Sequence, residues 1–313
     1  WAVVFKYSSV NIASNTTVTF SNHPSRGPVV WLVSGNVPIN GTLDLNGHDY
    51  VAAPNLPEPG PGGFRGGSGY FAPSVNASAG FGPGGGQYWY RPVTSGATAQ
   101  DNPTTYGNPS LIPLIGGSGG AGRQDSNWRA SGGAGGGAIL IAATGSLSVG
   151  GAIHANGGYG AEAGGSGGGI RLVSDSLSGN GIVNCLGGSA ASRAGGLGRI
   201  RIERVVNTSS IQISPDPSVV PLQASAAPVI WLPSDGPTVR VVSIGAVTPP
   251  PDPRAEFGTV GADVTLPLTS FIPVVVETTN AESASTVLIR VSPRAGIPDG
   301  GFYNEATAGL QQV

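Results

Sequence analysis

A repeat with a period near 30 residues is the feature that most constrains how this chain folds. Ile139, Ile170 and Ile200 each begin an equivalent short apolar run, and they lie 31 and 30 residues apart. Later positions agree with the same period, since Leu147 corresponds to Leu177. A self-similar period of this length is the signature of a stacked architecture, in which each copy buries its apolar face against the next.

A third copy of the repeat lies far upstream, at residues 29–47. Shifted by 110 positions, it falls without a gap on residues 139–157, and eight positions match in this one register. Val29 falls on Ile139, for example, and a glycine falls on a glycine at the end of each segment. The two segments are therefore equivalent copies, and the residues between them form an insert.

Each copy contains three short runs in which apolar and polar residues alternate, separated by Gly, Ser or Asn. Alternation with a period of two marks a β-strand with one buried face. The sequence therefore predicts an all-β fold, with a right-handed parallel β-helix over residues 27–214. The predicted core residues of this β-helix are Val29, Trp31, Leu43, Ile139, Ile141, Leu147, Ile153, Ile170, Leu172, Leu177, Val183, Ile200 and Ile202.

The insert, at about 51–131, is rich in Gly and Pro and carries scattered aromatic residues. We expect it to leave the stack at one corner and to fold over its flank, with Ser110–Ile115 as one more strand. Gly tracts recur at one corner of the copies, as flexible loops or as extended polyglycine-II strands that hydrogen-bond laterally. Their recurrence at one place favours the ordered arrangement.

The N-terminal residues 1–26 are predicted to form strands ahead of the first aligned copy. Trp1, Val3, Phe5 and Tyr7 share one face of an apolar strand. Such a strand has an unpaired edge unless the next copy of the repeat or another molecule covers it. These four residues are therefore predicted to form an inter-subunit strand.

The C-terminal third of the chain has a different texture. Residues 215–228 are rich in Ser, Pro and Ala and are predicted to be a linker. Short alternating strands follow over residues 229–313, spaced by Pro and Gly turns. This spacing predicts a small antiparallel β-sandwich of immunoglobulin-like type.

The composition excludes several classes of function. Charged residues are only 10% of the chain and the net charge is −2, so no basic field is present to bind nucleic acid. No apolar run approaches the roughly 18 residues that span a membrane. The chain has no Met, even at its first position, and it has little Lys and much Gly, Ser, Thr and Asn. These features predict a processed, secreted protein at the cell surface or beyond it.

Isolated reactive residues have ordinary structural explanations. Cys185 is the sole cysteine, so no intramolecular disulfide is possible, and its alignment predicts a small buried apolar residue. His154 aligns with polar residues of the other copies and is predicted to lie on a solvated strand face. The sequence therefore predicts neither a cofactor nor a metal.

Signals for catalysis are weak. GGSGG strings match the G-x-S-x-G nucleophile pattern, but no strand-to-helix elbow surrounds them. Arg171 and Arg201 fall one copy apart with Asp175 and Glu203 nearby, which is the kind of outward cluster that β-helix polysaccharide lyases use. A lysine is missing from this cluster, and no dense carboxylate group shares its register, so the sequence predicts that the protein is not an enzyme.

The repeat resembles the Gly-rich parallel β-helix surface proteins of bacteria, in which Gly tracts alternate with strands like AILIAATGSLSVGGAIHANGG of this chain. The resemblance covers residues 27–205. It implies an extracellular adhesin, envelope or matrix component, and it carries no catalytic residue over to this sequence.

Three functional hypotheses follow. The leading one is a structural subunit of an extracellular filament, whose copies assemble end to end by β-strand addition and β-helix stacking, so that the partner is the protein itself. The first alternative is an adhesin or glycan-binding module, with Tyr88, Trp89 and Tyr90 stacking on a surface polysaccharide. The second alternative is a β-helix polysaccharide lyase or hydrolase.

Overall fold

The computed structural model describes residues 2–23, 26–53, 55–70, 77–86, 106–123, 129–224, 228–231, 233–251, 263–267, 272–281, 286–290 and 305–309. These residues are all-β, and none of them belongs to a helix that could cross a membrane. They divide into a first unit up to residue 230 and a second unit from residue 231. The strands of the first unit are β1 (Val3–Tyr7), β2 (Thr17–Thr19), β3 (Val29–Val33), β4 (Val37–Ile39), β5 (Thr42–Asp44), β6 (Ala138–Ala143), β7 (Ser146–Val149), β8 (Ala152–His154), β9 (Gly169–Ser178), β10 (Ile182–Asn184), β11 (Arg199–Asn207), β12 (Gln212–Ser214) and β13 (Ser218–Pro221).

The first sheet is parallel and joins equivalent strands of successive copies. Its order is β1, β3, β6, β9, β11 and β13, with β4 and β7 paired alongside. Val29 pairs with Ile139, Ile139 with Ile170, and Ile170 with Ile200. The alignment of the copies in the sequence is therefore also the register of the sheet.

A second parallel sheet repeats this arrangement with the last strand of each copy. Its order is β12, β10, β8, β5 and β2. Leu43 pairs with Ile153, and Ile153 pairs with Val183. Every second residue of each strand therefore lies next to its equivalent in the following copy, and these residues form continuous rows along the stack.

The core lies between these rows. All the predicted core residues belong to one cluster of buried side chains, which Cys185 and Leu45 extend at the end of the second sheet. Leu147 is fully buried, whereas Thr144 in the turn before it is exposed. Burial of a side chain of this size contributes about 1.5–3 kcal/mol, so the rows are the main source of stability.

A truncation in these rows is expected to be costly. Leu147→Ala should lower the free energy of unfolding by about 2–5 kcal/mol, because it removes buried methyl groups and leaves a cavity. Thr144→Ala should change it by less than about 0.5 kcal/mol. Urea unfolding monitored by tryptophan fluorescence would measure both, and equal effects would contradict this account of the core.

The Gly tracts form an ordered lattice of extended strands rather than flexible loops. In the tract 132–137, successive backbone N–H groups point to three different neighbours and return to the same neighbour every third residue. Gly132 and Gly135 donate to Gly67 and Phe64, Gly133 and Gly136 to Ala163 and Ser166, and Ala134 and Gly137 to His48 and Leu45, at 2.7–3.1 Å. Three residues per turn with no internal hydrogen bond is the polyproline-II geometry, so the tracts pack as polyglycine-II strands.

Parts of the insert belong to this lattice. Phe64 donates to Gly117 and Gly67 donates to Gly120, so the segment around residues 62–69 lies beside the tract 116–122. Gly119 in turn donates to Phe81, in the next described segment of the insert. The insert therefore satisfies its backbone groups through the same bonding as the repeats do.

Glycine is required here because the strands approach more closely than a side chain allows. A Cβ atom built on Gly135 would overlap the carbonyl oxygen of Gly117, and one built on Gly165 would overlap that of Ala134. Gly196 differs, since its Cβ would meet nothing nearer than the Ser166 hydroxyl oxygen at 3.9 Å. The lattice is therefore closed around Gly135 and open beside Gly196.

This difference provides a matched test of the lattice. Gly135→Ala should lower the free energy of unfolding by about 1–3 kcal/mol or more, because the new methyl group forces two backbones apart. Gly196→Ala should leave the melting temperature nearly unchanged. Thermal unfolding followed by circular dichroism measures both, and tolerance of alanine at Gly135 would argue for flexible loops instead.

Two local expectations differ from the structure. Ser110–Ile115 is not a strand: it contains a turn held by the Asn108 side chain, which accepts from the Ser110 N–H at 3.0 Å and donates to Ile112 O at 2.6 Å. Its apolar residues instead pack on the outer face of the first sheet, with Leu111 and Leu114 both buried. The predicted linker 215–228 contains β13, because the edge of β11 gains a parallel strand there.

The second unit is antiparallel in its described part. Strand β14 (Thr238–Ile244) pairs with β15 (Val274–Thr279), and β16 (Thr286–Arg290) pairs with β17 (Glu305–Gly309). Each pair is a separate two-stranded sheet among the described residues. The antiparallel character agrees with the prediction for residues 229–313.

Candidate functional site: the two ends of the strand stack

The first end of the stack is formed by β1, the edge strand of the first sheet. On its inner side, the Val3 N–H donates to a carbonyl before β3 at 2.8 Å, and Tyr7 O accepts from a residue after β3 at 3.0 Å. Successive residues of a strand turn their backbone groups to opposite sides. The N–H and C=O groups of Val4 and Lys6 therefore point to the other side, where no described strand pairs with β1.

Large apolar side chains lie exposed at this end. Phe5 is 37% exposed and Tyr7 39% exposed, although both continue the buried row that contains Trp31. The Tyr7 ring meets the Trp31 ring edge-on at 6.0 Å, and the Phe20 ring lies tilted against the Trp31 ring, also at 6.0 Å. Val3, Phe5 and Tyr7 of the predicted inter-subunit strand thus share one row, while Trp1 lies outside the described residues.

All parts of this end stop at the same level. Strand β1 lies on β3, Ile12 makes a parallel bridge to Ile39, and β2 lies on β5. Val10, Val18 and Phe20 are only partly buried against the core. In the part of the chain that the structure describes, the N-terminal end is therefore a flat, largely apolar surface bordered by unpaired strand edges.

The opposite end of the stack is stepped and carries proline at its edges. The Leu222 N–H donates to Arg204 O at 2.8 Å, so Val219 and Pro221 of β13 face the open side. Pro221 has no N–H to offer there. In the second sheet, β12 is followed directly by Pro215, where the strand ends.

The glycine lattice also ends here. Ala163 bridges to Arg193, so Gly164 and Gly167 correspond in the last copy to Ala194 and Leu197. A Cβ on either of those two glycines would overlap a backbone carbonyl of the next strand. Leu197 is 65% exposed, and its side chain occupies the space that a further lattice strand would need.

Three of the four charged residues that suggested a lyase form a buried ionic cluster, and the fourth, Asp175, is exposed. Glu203 Oε1 accepts from Arg171 Nε at 2.8 Å and from Arg201 Nε at 2.6 Å. Arg171 is 1% exposed and also donates to Val229 O at 2.6 Å. Burial lowers the pKa of the Arg171 guanidinium, and the Glu203 carboxylate opposes this shift. The cluster anchors residue 229 to the sheet.

Removal of the shared carboxylate charge should destabilise the first unit. Glu203→Gln leaves two guanidinium groups near each other without their counter-charge, at an expected cost of about 3–5 kcal/mol in the free energy of unfolding. Asp175→Asn, at an exposed position of β9, is the matched control and should cost less than about 0.5 kcal/mol. Denaturant unfolding measures both, and a small effect at Glu203 would show that the cluster contributes little.

Cys185, His154 and the possible metal ligands do not form a functional site among the described residues. Cys185 is fully buried, and burial raises the pKa of its thiol. His154 pairs across the second sheet with Asp44 and Asn184, which agrees with the aligned polar positions. Among the described residues, no group of three or more His, Cys, Asp or Glu side chains could hold a metal ion.

The structure does not describe the aromatic residues that were predicted to stack on a surface polysaccharide. Tyr88, Trp89 and Tyr90 lie outside the described residues, so their stacking role stays a prediction. A groove of about 830 Å³ crosses the outer face of the first sheet and is lined by apolar residues such as Leu32, Val173 and Leu222.

Comparison with protein-family models, curated proteins and solved structures gave no match. The resemblance to Gly-rich bacterial surface proteins therefore stays a prediction. The sequence pattern predicted an exposed strand with Val3, Phe5 and Tyr7 on one face, but it did not single out Pro221 and Leu197 at the opposite end. The repeat alignment contains the signal for Leu197, because it places this residue opposite a glycine of the preceding copy.

Proposed function

We propose that this protein is a structural subunit of an extracellular filament or surface matrix, whose copies associate end to end. The observation that carries the proposal is the open side of β1, where backbone groups of Val4 and Lys6 and the exposed rings of Phe5 and Tyr7 lie together. An unpaired, apolar strand edge favours the addition of another strand. No catalytic step is part of this proposal.

The detailed architecture of each unit is part of the same proposal. The first unit is a right-handed parallel β-helix, and the second unit is an immunoglobulin-like sandwich. In-register parallel pairing in both sheets and one core between them support the β-helix, and antiparallel pairing supports the sandwich. Such a stack is a rigid rod whose inner backbone groups are saturated, which suits a structural role.

Extracellular location is also part of the proposal. Its support is the composition: 10% charged residues, 53 Gly and a single buried cysteine that forms no disulfide. The glycine lattice supplies rigidity through backbone bonds instead of cross-links. A protein of this kind can persist outside a cell without covalent bridges.

A proline at the open side of β1 tests the proposal. Val4→Pro removes an N–H that points away from β3, so it should leave the first unit folded and reduce assemblies to monomers. Val4→Thr retains the N–H and is the matched control, which should assemble as the unchanged protein does. Light scattering gives the mass of the particles, and negative-stain electron microscopy gives their shape.

Two results would contradict the proposal. The unchanged protein could remain monomeric at every accessible concentration, which would remove the end-to-end role. Alternatively, Val4→Pro could assemble as fully as Val4→Thr, which would show that the open side of β1 takes no part. Equal melting temperatures of the two variants would show that any difference in assembly is not a folding defect.

A further inference from the structure

The C-terminal end of the stack is a poor acceptor for β1 of another copy. Pro221 removes an N–H group from the open side of the first sheet, and Pro215 ends β12 in the second sheet. The first sheet extends one strand further than the second at this end, so a flat N-terminal end cannot meet both sheets at once. Leu197 also occupies the space where the glycine lattice would continue. The acceptor in an end-to-end assembly therefore lies elsewhere in the chain.

The β14–β15 sheet of the second unit has one face that carries several valines and an opposite face that carries an ion pair as well as Val275. Val239 and Val241 of β14 lie on the same face as Val276 of β15, and the two β14 valines are 61% and 40% exposed. On the opposite face, Arg240 pairs with Glu277 at 2.7 Å, and both side chains are more than half exposed. Among the described residues this sheet has two strands; a sheet of that size is marginal by itself, and a third strand would stabilise it.

In strand β1, Val3, Phe5 and Tyr7 lie on one face, and Val4 and Lys6 lie on the other. Lys6 is the only lysine of the chain, and a positive charge there complements the carboxylate of Glu277. Apolar side chains can thus meet apolar ones on one face while Lys6 meets Glu277 on the other.

We infer that β1 of one copy adds to β15 of the next copy, with Lys6 beside Glu277 and Phe5 in the row of Val276. This inference rests on the proposed function and names the acceptor within it. The added strands cover the flat N-terminal end, because their apolar face continues the row over Trp31 and Phe20. The open backbone groups of Val4 and Lys6 gain partners in the same step.

The contact is heterologous, since two different surfaces of the subunit meet. A contact of this type repeats without closing unless the rotation forms a ring, so it generates an open filament. Pairing between two N-terminal ends would instead give a closed dimer. Addition of β1 to β15 therefore explains how a polymer forms although the C-terminal end of the stack is a poor acceptor.

Disulfide trapping tests the acceptor. The Lys6→Cys/Glu277→Cys double variant should form disulfide-linked ladders on mild oxidation of the full-length protein, seen on a non-reducing gel. Cys185 is fully buried, so it should not contribute. Lys6→Cys alone tests pairing between N-terminal ends, and Lys6→Cys/Val220→Cys tests addition to β13. Neither control should give more linked product than the unchanged protein.

The outcomes separate the inference from the proposed function. Ladders from the Lys6/Glu277 pair alone support both. Linked dimers from Lys6→Cys alone, ladders from the Val220 pair, or normal filaments without linkage at Glu277 would overturn the acceptor and leave the structural role standing. Monomers alone in light scattering of the unchanged protein would overturn the structural role and the acceptor together.

Discussion

Lateral hydrogen bonding between backbones of successive repeats is the interaction on which the rest of this structure depends. The sheets satisfy it with a period of two, which leaves alternate side chains free to build the core. The glycine lattice satisfies it with a period of three, so each strand has several neighbours and little space for a side chain. Both solutions bury most of the repeat's backbone and leave few places for charge, which agrees with a chain of which only 10% is charged.

A stack that saturates its own interior concentrates its unpaired groups at the two ends. The ends therefore decide what the protein can associate with. Among the described residues, the edge of β1 is open and exposed aromatic rings lie beside it, whereas Pro221 and Leu197 hinder addition at the opposite end. This asymmetry gives the first unit a direction, with one end suited to addition and one end that terminates the stack.

Much of the fold was accessible from the repeat. Aligning the copies at Val29, Ile139, Ile170 and Ile200 placed these residues on neighbouring strands, because a shift of one residue would turn every core side chain outward. The ordered lattice was favoured for a similar reason, since Gly recurred where the copies coincide. Ser110–Ile115 was harder, because an apolar run shows that a segment is buried but not whether it is extended.

The periodicity of the sequence therefore predicted the strand rows, their pairing and the exposed N-terminal strand, since these features depend on residue types at regular spacing. The folded chain was needed to place β13 in the predicted linker and to close Glu203 around two arginines. It was also needed to connect parts of the insert to the tracts 116–122 and 132–137. The pairing of β13 and the contacts of the insert join segments far apart in the chain through backbone groups, and backbone groups are the same at every residue, so no pattern of side chains announces them.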